Sequence, residues 1–154
     1  MSKAEIIIAP EDPRQADVRG LLAEADAMLQ ALYPPASNHP VDADALATAG
    51  AVFLAARRDI ELLGSIAFRL VAPGHAEMKR LFVRIEARGS GLGRRLLVAL
   101  EGVARQRGIE RMSLETGIRQ PEAIGLYRAS GYRECPPFGT YKPDPLSLFM
   151  TKRL

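Results

Sequence analysis

Three glycines fall within five positions, Gly89, Gly91 and Gly93, between the run "EMKRLFV" and the run "RRLLVAL". Few folds tolerate so much bare backbone between a strand and a helix. A loop without Cβ atoms that opens a helix turns several backbone N–H groups toward one point, at the positive end of the helix dipole, and such a point suits a phosphate. Arg88, Arg94 and Arg95 add charge at the same place. The chain has 21 Lys and Arg against 18 Asp and Glu, a formal net charge of +3, and the excess is concentrated between Arg84 and Arg111. An anionic partner is expected there.

Spacing discriminates among phosphate-binding loops. A P-loop needs Lys-Ser/Thr after its last glycine, whereas Gly93 is followed by Arg94-Arg95. The dinucleotide pattern G-x-G-x-x-G fails as well, because either register puts Arg94 or Leu96 where the third glycine belongs.

The remaining chain, 154 residues in all, is the length of one domain and reads as alternating strands and helices. "AEIIIA", 4–9, predicts a first strand. Asp12, Pro13 and Gln15 have the positions of an N-cap, a first helical residue and a capping-box partner. Val18, Leu21, Leu22, Ala25, Met28, Leu29 and Leu32 then recur at helical spacing, a stripe expected in the core, which Pro34 and Pro35 end. A loop follows, with a short helix capped by Asp42. Residues 51–70 predict two strands about a turn at Arg58 and Asp59, and 76–83 a third antiparallel strand. Leu92, Leu96, Ala99, Leu100 and Val103 mark a helix face closed by Gly108. "RMSLET" predicts a strand, "QPEAIGLYRAS" a helix begun by Pro121 and ended before Gly131, and "SLFMTKRL" a last strand.

What the glycines do match is Arg88-x-x-Gly91-x-Gly93 after a strand and before an amphipathic helix, which resembles the acetyl-CoA motif of the GNAT superfamily of N-acetyltransferases. The resemblance continues in "LETG" and in "AIGLYRASGYREC", with Ala123, Tyr127 and the pair Gly131-Tyr132, and so covers the chain from residue 76 onward. The closing "PFGTYKPDPLSLFM" resembles the tail of an uncharacterised bacterial subgroup of that superfamily. The first half matches only in its order of elements. The resemblance implies an α/β (α+β) fold in a single domain, 1–154, with a mixed, mostly antiparallel central sheet of six to seven strands flanked by about four helices.

It also implies a chemistry: an acetyl group passes from acetyl-CoA, as cosubstrate, to a primary amine on a small molecule, amino acid or peptide, by direct attack in a ternary complex. The backbone of Gly89, Ser90, Gly91, Leu92, Gly93 and Arg94 would hold the pyrophosphate, with Arg88 and Arg94 adding side-chain contacts. The strand edge at Leu81, Phe82 and Val83 would pair with the pantetheine arm. Tyr127 stands where the superfamily keeps a tyrosine aimed at the thioester sulfur, and a phenol is protonated at pH 7 and has a proton to give. Glu77, eleven residues before Arg88, has the separation of a general base, useful because an alkylammonium must lose a proton before it attacks. Glu115 is a second carboxylate, as relay or acceptor ligand. Many members carry asparagine three residues before the alanine of the second block; here Gln120 stands in that place and reaches farther. Asn38, His39 and Tyr141 are candidates for the acceptor pocket.

Each reading has a plainer rival. Tyr127 sits on a helical stripe with Ala123 and Leu126 that could simply be buried, Glu77 could pair with Lys79 or Arg80, and the arginines could be a solvated rim. A non-catalytic CoA-responsive or nucleic-acid-binding module is the alternative function, but no helix-turn-helix or RNP pattern accompanies the arginines, so nucleic acid is not expected as a partner. The lone Cys135 excludes an internal disulfide and reads as a small hydrophobe; it has no histidine pattern arguing for an acyl-enzyme. His39 and His75 lack ligand spacing, so no metal is expected. The apolar run Ile6–Ile8 is too short for a signal peptide or membrane span, which predicts a cytoplasmic protein without a membrane partner. A homodimer is the candidate assembly.

Overall fold

A computed structural model describes residues 4–39 and 41–154. Its strands are β1 (Ile6–Pro10), β2 (Val52–Arg58), β3 (Glu61–Ala72), β4 (His75–Val83), β5 (Arg111–Gly117), β6 (Arg133–Glu134) and β7 (Ser147–Arg153), and its helices α1 (Ala16–Leu32), α2 (Ala43–Leu46), α3 (Leu92–Gln106) and α4 (Pro121–Ala129). The strands form one seven-stranded sheet in the order β1-β2-β3-β4-β5-β7-β6. Every neighbouring pair is antiparallel except β4 and β5. A mixed, mostly antiparallel sheet with four helices is therefore the architecture.

Alternation along the strands divides the core in two. Val52, Leu54 and Ala56 of β2 pack with Leu96, Leu97 and Leu100 of α3, while Phe53 and Ala55 pack with Val18, Leu21 and Leu22 of α1. In β4 the alternation switches: Ala76 and Met78 belong to the α3 side, yet Phe82, of the same parity, belongs to the α1 side. The cause is a bulge, since the pairing with β3 shifts between Ser65 and Ala67, and Arg80 opposite has φ of 60°. A side chain at positive φ is strained. Arg80 is held there by Asp26 of α1, which its guanidinium contacts through both terminal nitrogens, and by the Val41 carbonyl at 2.8 Å from its Nε.

Two expectations change. Helix α1 starts at Ala16, three residues after the expected first position, because the Asp12 carboxylate accepts from the Arg14 amide (2.9 Å) and guanidinium instead of capping the helix. Its apolar stripe is not core throughout: Val18, Leu21, Leu22 and Ala25 are buried, but Met28 and Leu29 line an open cleft. The Asp42 cap on α2 is made as expected, Ala45 N–H to Asp42 Oδ1 at 2.8 Å. Gly108 and Gly131 follow α3 and α4 at positive φ.

Candidate active site

The parallel pairing of β4 with β5 is short. It joins His75–Glu77 to Arg111–Ser113 and then ends, although both strands continue. The backbone edge of β4 beyond Glu77 has no β5 partner, and the gap opens onto a cleft of about 180 Å³. Its walls include Met28, Leu29 and Tyr33 from α1 and its end, Lys79–Phe82 from β4, Leu114–Gly117 from β5, and Gln120 and Tyr127 from the α4 region.

At the C-terminal end of β4 the chain makes a single 3-10 turn, Ile85–Ala87, and enters the glycine loop. Gly89 and Gly91 have φ of 78° and 80°, a conformation that favours glycine, and a Cβ on either would meet nothing within 4 Å. The loop is therefore open to an approaching group. Gly91 is the N-cap of α3, and the first backbone bond of the helix runs from Arg95 N–H to the Gly91 carbonyl. The amides of residues 89–94 precede that bond and have no intrahelical partner. Gly93 has a second use, because a Cβ there would come within 3.3 Å of Leu126, so its absence lets α4 approach α3. Arg88 stands 5.6 Å above the Phe82 ring and donates from Nε to the Val83 carbonyl at 2.8 Å. Arg94 is exposed, and Arg95 is bound to the Ile6 carbonyl of β1. Ser90 donates to the Ala87 carbonyl and Leu92 is buried.

Tyr127 is 8% exposed and projects from α4 into the cleft, edge-on to Tyr132. Burial, with a smaller contribution from the charge of Glu115, pushes its phenol well above the ordinary value, so it remains protonated. Glu115 lines the same cleft and accepts from Ser147 Oγ at 3.0 Å. Burial raises its pKa, Glu77 adds to the rise, and Ser147, Lys79 and His39 oppose it.

Glu77 is 2% exposed and is not part of the cleft wall. Its Oε1 accepts from Arg69 Nε at 3.1 Å; its Oε2 accepts from the Tyr141 hydroxyl and lies 3.4 Å from Lys79 Nζ. Lys79 in turn donates to Tyr141 Oη at 2.7 Å and to the His39 carbonyl at 2.9 Å. Burial lowers its pKa, against which the charges of Glu77 and Glu115 act. Asn38 and His39 line the cleft, but the Asn38 amide is spent on the Tyr33 and Pro34 carbonyls. Tyr141 lines a second cavity next door.

The structure thus gathers Leu81, Phe82, Glu115, Gln120, Tyr127, Asn38 and His39 around one cleft, with Glu77 and Tyr141 behind it and the glycine loop beyond it. Sequence reasoning missed two members. Lys79 was legible only as a partner for Glu77, although positions 77 and 79 share a face of β4. Tyr33 lies so close to β5 that a Cβ on Gly117 would be 1.8 Å from its hydroxyl oxygen, and that oxygen accepts from Arg119 N–H at 3.1 Å and contacts Gln120 Oε1 at 3.3 Å. A glycine closing a strand is the available signal of such an approach. Gly117→Ala is expected to lower stability by about 1–3 kcal/mol, read as a drop in thermal midpoint. An unchanged midpoint would mean that Tyr33 leaves its place freely.

Among the described residues, no three His, Cys, Asp or Glu side chains gather as a metal site, and no helix is long and apolar enough to cross a membrane.

Against known proteins, the model of the acetyltransferase (GNAT) family matches residues 19–132. An IAA acetyltransferase from Azospirillum brasilense is 45% identical over 150 residues, which cover 97% of this chain and 98% of its own. A solved structure from Klebsiella pneumoniae, described as an acyl-CoA N-acyltransferase, shares 38% identity and a TM-score of 0.82 over 97% of each chain. The PaiA N-acetyltransferase of Thermoplasma acidophilum, solved in complex with coenzyme A, has a TM-score of 0.74 over 97% of this chain and 99% of its own; at 18% identity this is a likeness of fold.

Proposed function

The chain belongs to the acetyltransferase (GNAT) family, and from that premise we propose that a single domain, 1–154, moves an acetyl group from acetyl-CoA to a primary amine by direct attack. The observation that carries the reading is the unpaired edge of β4 beyond Glu77, with open helix-terminal amides past its end and Tyr127 lining the gap.

The residues fit the donor. The amides of Gly89–Arg94 hold the pyrophosphate at the positive end of α3, and Arg88 and Arg94 add charge. An extended pantetheine arm takes the hydrogen bonds that β5 leaves unmade along Leu81–Val83, with Gln120 facing it. That geometry fixes the thioester beside Tyr127 and turns an encounter between two molecules into a local reaction.

Glu115 accepts the proton of the incoming amine, which then adds to the thioester carbonyl. As the carbon–sulfur bond breaks, the Tyr127 hydroxyl donates to the departing sulfur, the second proton shed by the attacking nitrogen returns to the phenolate, and the amide and free thiol result. Glu77 acts from behind, through the Tyr141 hydroxyl. The raised pKa of Glu115 fixes the sign of the pH dependence: kcat/KM falls as pH drops through that value, so the acid limb lies above the ordinary glutamate pKa. Glu115→Gln is expected to abolish the limb and lower kcat/KM by about 10²-fold. An unmoved limb would transfer the role to another group.

The direct test of the reading is binding followed by turnover. Saturating acetyl-CoA is expected to raise the thermal midpoint, as a ligand of the native state does, and a panel of amines, polyamines, amino acids and peptides is expected to yield thiol release with at least one member. No thermal shift would overturn the reading.

A further inference from the structure

The face of the sheet opposite α3 and α4 carries an alternating row of charge. Arg69 of β3 is paired in register with Glu77 of β4, Lys79 follows two positions on, and Glu115 stands on β5 across the gap. A second cavity, about 540 Å³, lies over this row, and it shares His39, Val41 and Lys79 with the cleft already described. The two spaces therefore meet at Lys79.

The charged groups around this second cavity are Arg69, Lys79, Lys142 and Asp144 in its wall, with Glu77 as the carboxylate beneath. Both carboxylates are spent internally. Asp144 accepts from Ser37 Oγ at 2.7 Å and from Leu146 N–H at 2.8 Å, and Glu77 accepts from Arg69 and Tyr141. Lys79 is spent as well, on Tyr141 and the His39 carbonyl. Arg69 is different: its Nε is tied to Glu77, while its terminal nitrogens make no ion pair among the described residues. Lys142 likewise makes none among the described residues, where the paired lysines are Lys79 and Lys152. A guanidinium held by Nε offers its outer edge to a planar anion, and a carboxylate matches that edge.

We propose that the acceptor is an amine that also bears a carboxylate, in the simplest case an amino acid whose chain separates the two groups, with Arg69 and Lys142 receiving the carboxylate while the amine reaches Glu115. The inference rests on the acetyl-transfer reading above. A zwitterion meets both ends of the row with opposite charge. A diamine or polyamine of the same length brings a second cation against Arg69, Lys79 and Lys142, which opposes its binding.

The test compares free amino acids with their primary carboxamides as acceptors, reading thiol release from acetyl-CoA in the wild-type protein and in Arg69→Gln and Lys142→Gln. A neighbouring carboxylate makes the amine harder to deprotonate, so intrinsic reactivity favours the amide, and a preference for the acid must come from the protein. The expected result is kcat/KM at least tenfold higher for the best acid than for its amide, with both substitutions bringing the ratio toward one through KM. The acetyl-CoA thermal shift of each variant controls for folding, and Lys142, which unlike Arg69 is not bonded to Glu77, is the safer of the two. A normal shift with amides or simple amines as the best acceptors, with no acid acetylated, or with the ratio intact in both variants, overturns the acceptor assignment alone. Absence of any shift in the wild type overturns it together with the acetyl-transfer reading.

Discussion

Replacing Tyr127 by phenylalanine is expected to slow thiol release at saturating amine by about 10²-fold, while acetyl-CoA raises the thermal midpoint as it does in the wild-type protein. The two halves of that expectation come from different parts of the side chain. The ring is buried and packs edge-on against Tyr132, and phenylalanine keeps both the volume and the contact. Tyr127 lines the cleft and burial keeps its phenol protonated, so on the proposed mechanism loss of the hydroxyl removes a hydrogen bond to the departing sulfur and little else. A drop in kcat without change in acetyl-CoA affinity separates this role from packing. If turnover is unaltered, the leaving thiolate takes its proton elsewhere; if acetyl-CoA no longer stabilises, the hydroxyl belongs to binding.

The second large effect is on stability. Glu101 of α3 is 4% exposed, and both its oxygens accept from Lys152 Nζ, at 3.0 and 3.1 Å, while Oε2 also accepts from the Tyr132 hydroxyl at 2.8 Å. One carboxylate thus fastens α3 to β7 and to the segment after α4. Glu101→Ala leaves an ammonium and a phenol facing an apolar layer without their acceptor, and the expected cost is about 2–4 kcal/mol. That is a fall of several degrees or more in thermal midpoint for a chain of this size. The interpretation has its own control: Glu101→Leu combined with Lys152→Met removes the charges together and is expected to recover much of the loss. A double variant as unstable as the single one would assign the effect to the Tyr132 hydroxyl left without its acceptor.

The elements themselves were readable where a single physical rule governs them. Leu92, Leu96 and Leu100 announce α3 by period, Gly108 ends it by its permitted φ, and Pro121 starts α4 because it needs no N–H. Misreadings occurred where a neighbour outbid the local rule. Asp12 is a good cap in isolation, but Arg14, two residues away, takes its carboxylate. Strand β6 has two residues and no periodicity to detect. The bulge at Arg80 cannot be read from its own sequence, because a positive φ on arginine is stabilised by Asp26 and Val41, far off in the chain. The candidate site divides in the same way. The glycine loop is contiguous and announces itself, whereas the joining of Arg69, Glu77, Lys79 and Tyr141 depends on strand register and on a loop more than 60 residues away. Motifs carry the donor side; topology carries the acceptor side.

The brevity of the β4–β5 pairing also bears on mechanics. A sheet whose two wings share a seam of three residue pairs, His75–Glu77 against Arg111–Ser113, has few backbone rungs of its own to hold the angle between them and leaves that task to α3, packed on β2–β4 and fastened to β7 through Glu101. Spreading the wings breaks few rungs, and an extended molecule laid along the free margin adds rungs where the chain has none. Stiffness across that seam then becomes a property of occupancy, and amide exchange along Leu81–Val83 and Leu114–Gly117 is where it would be felt first.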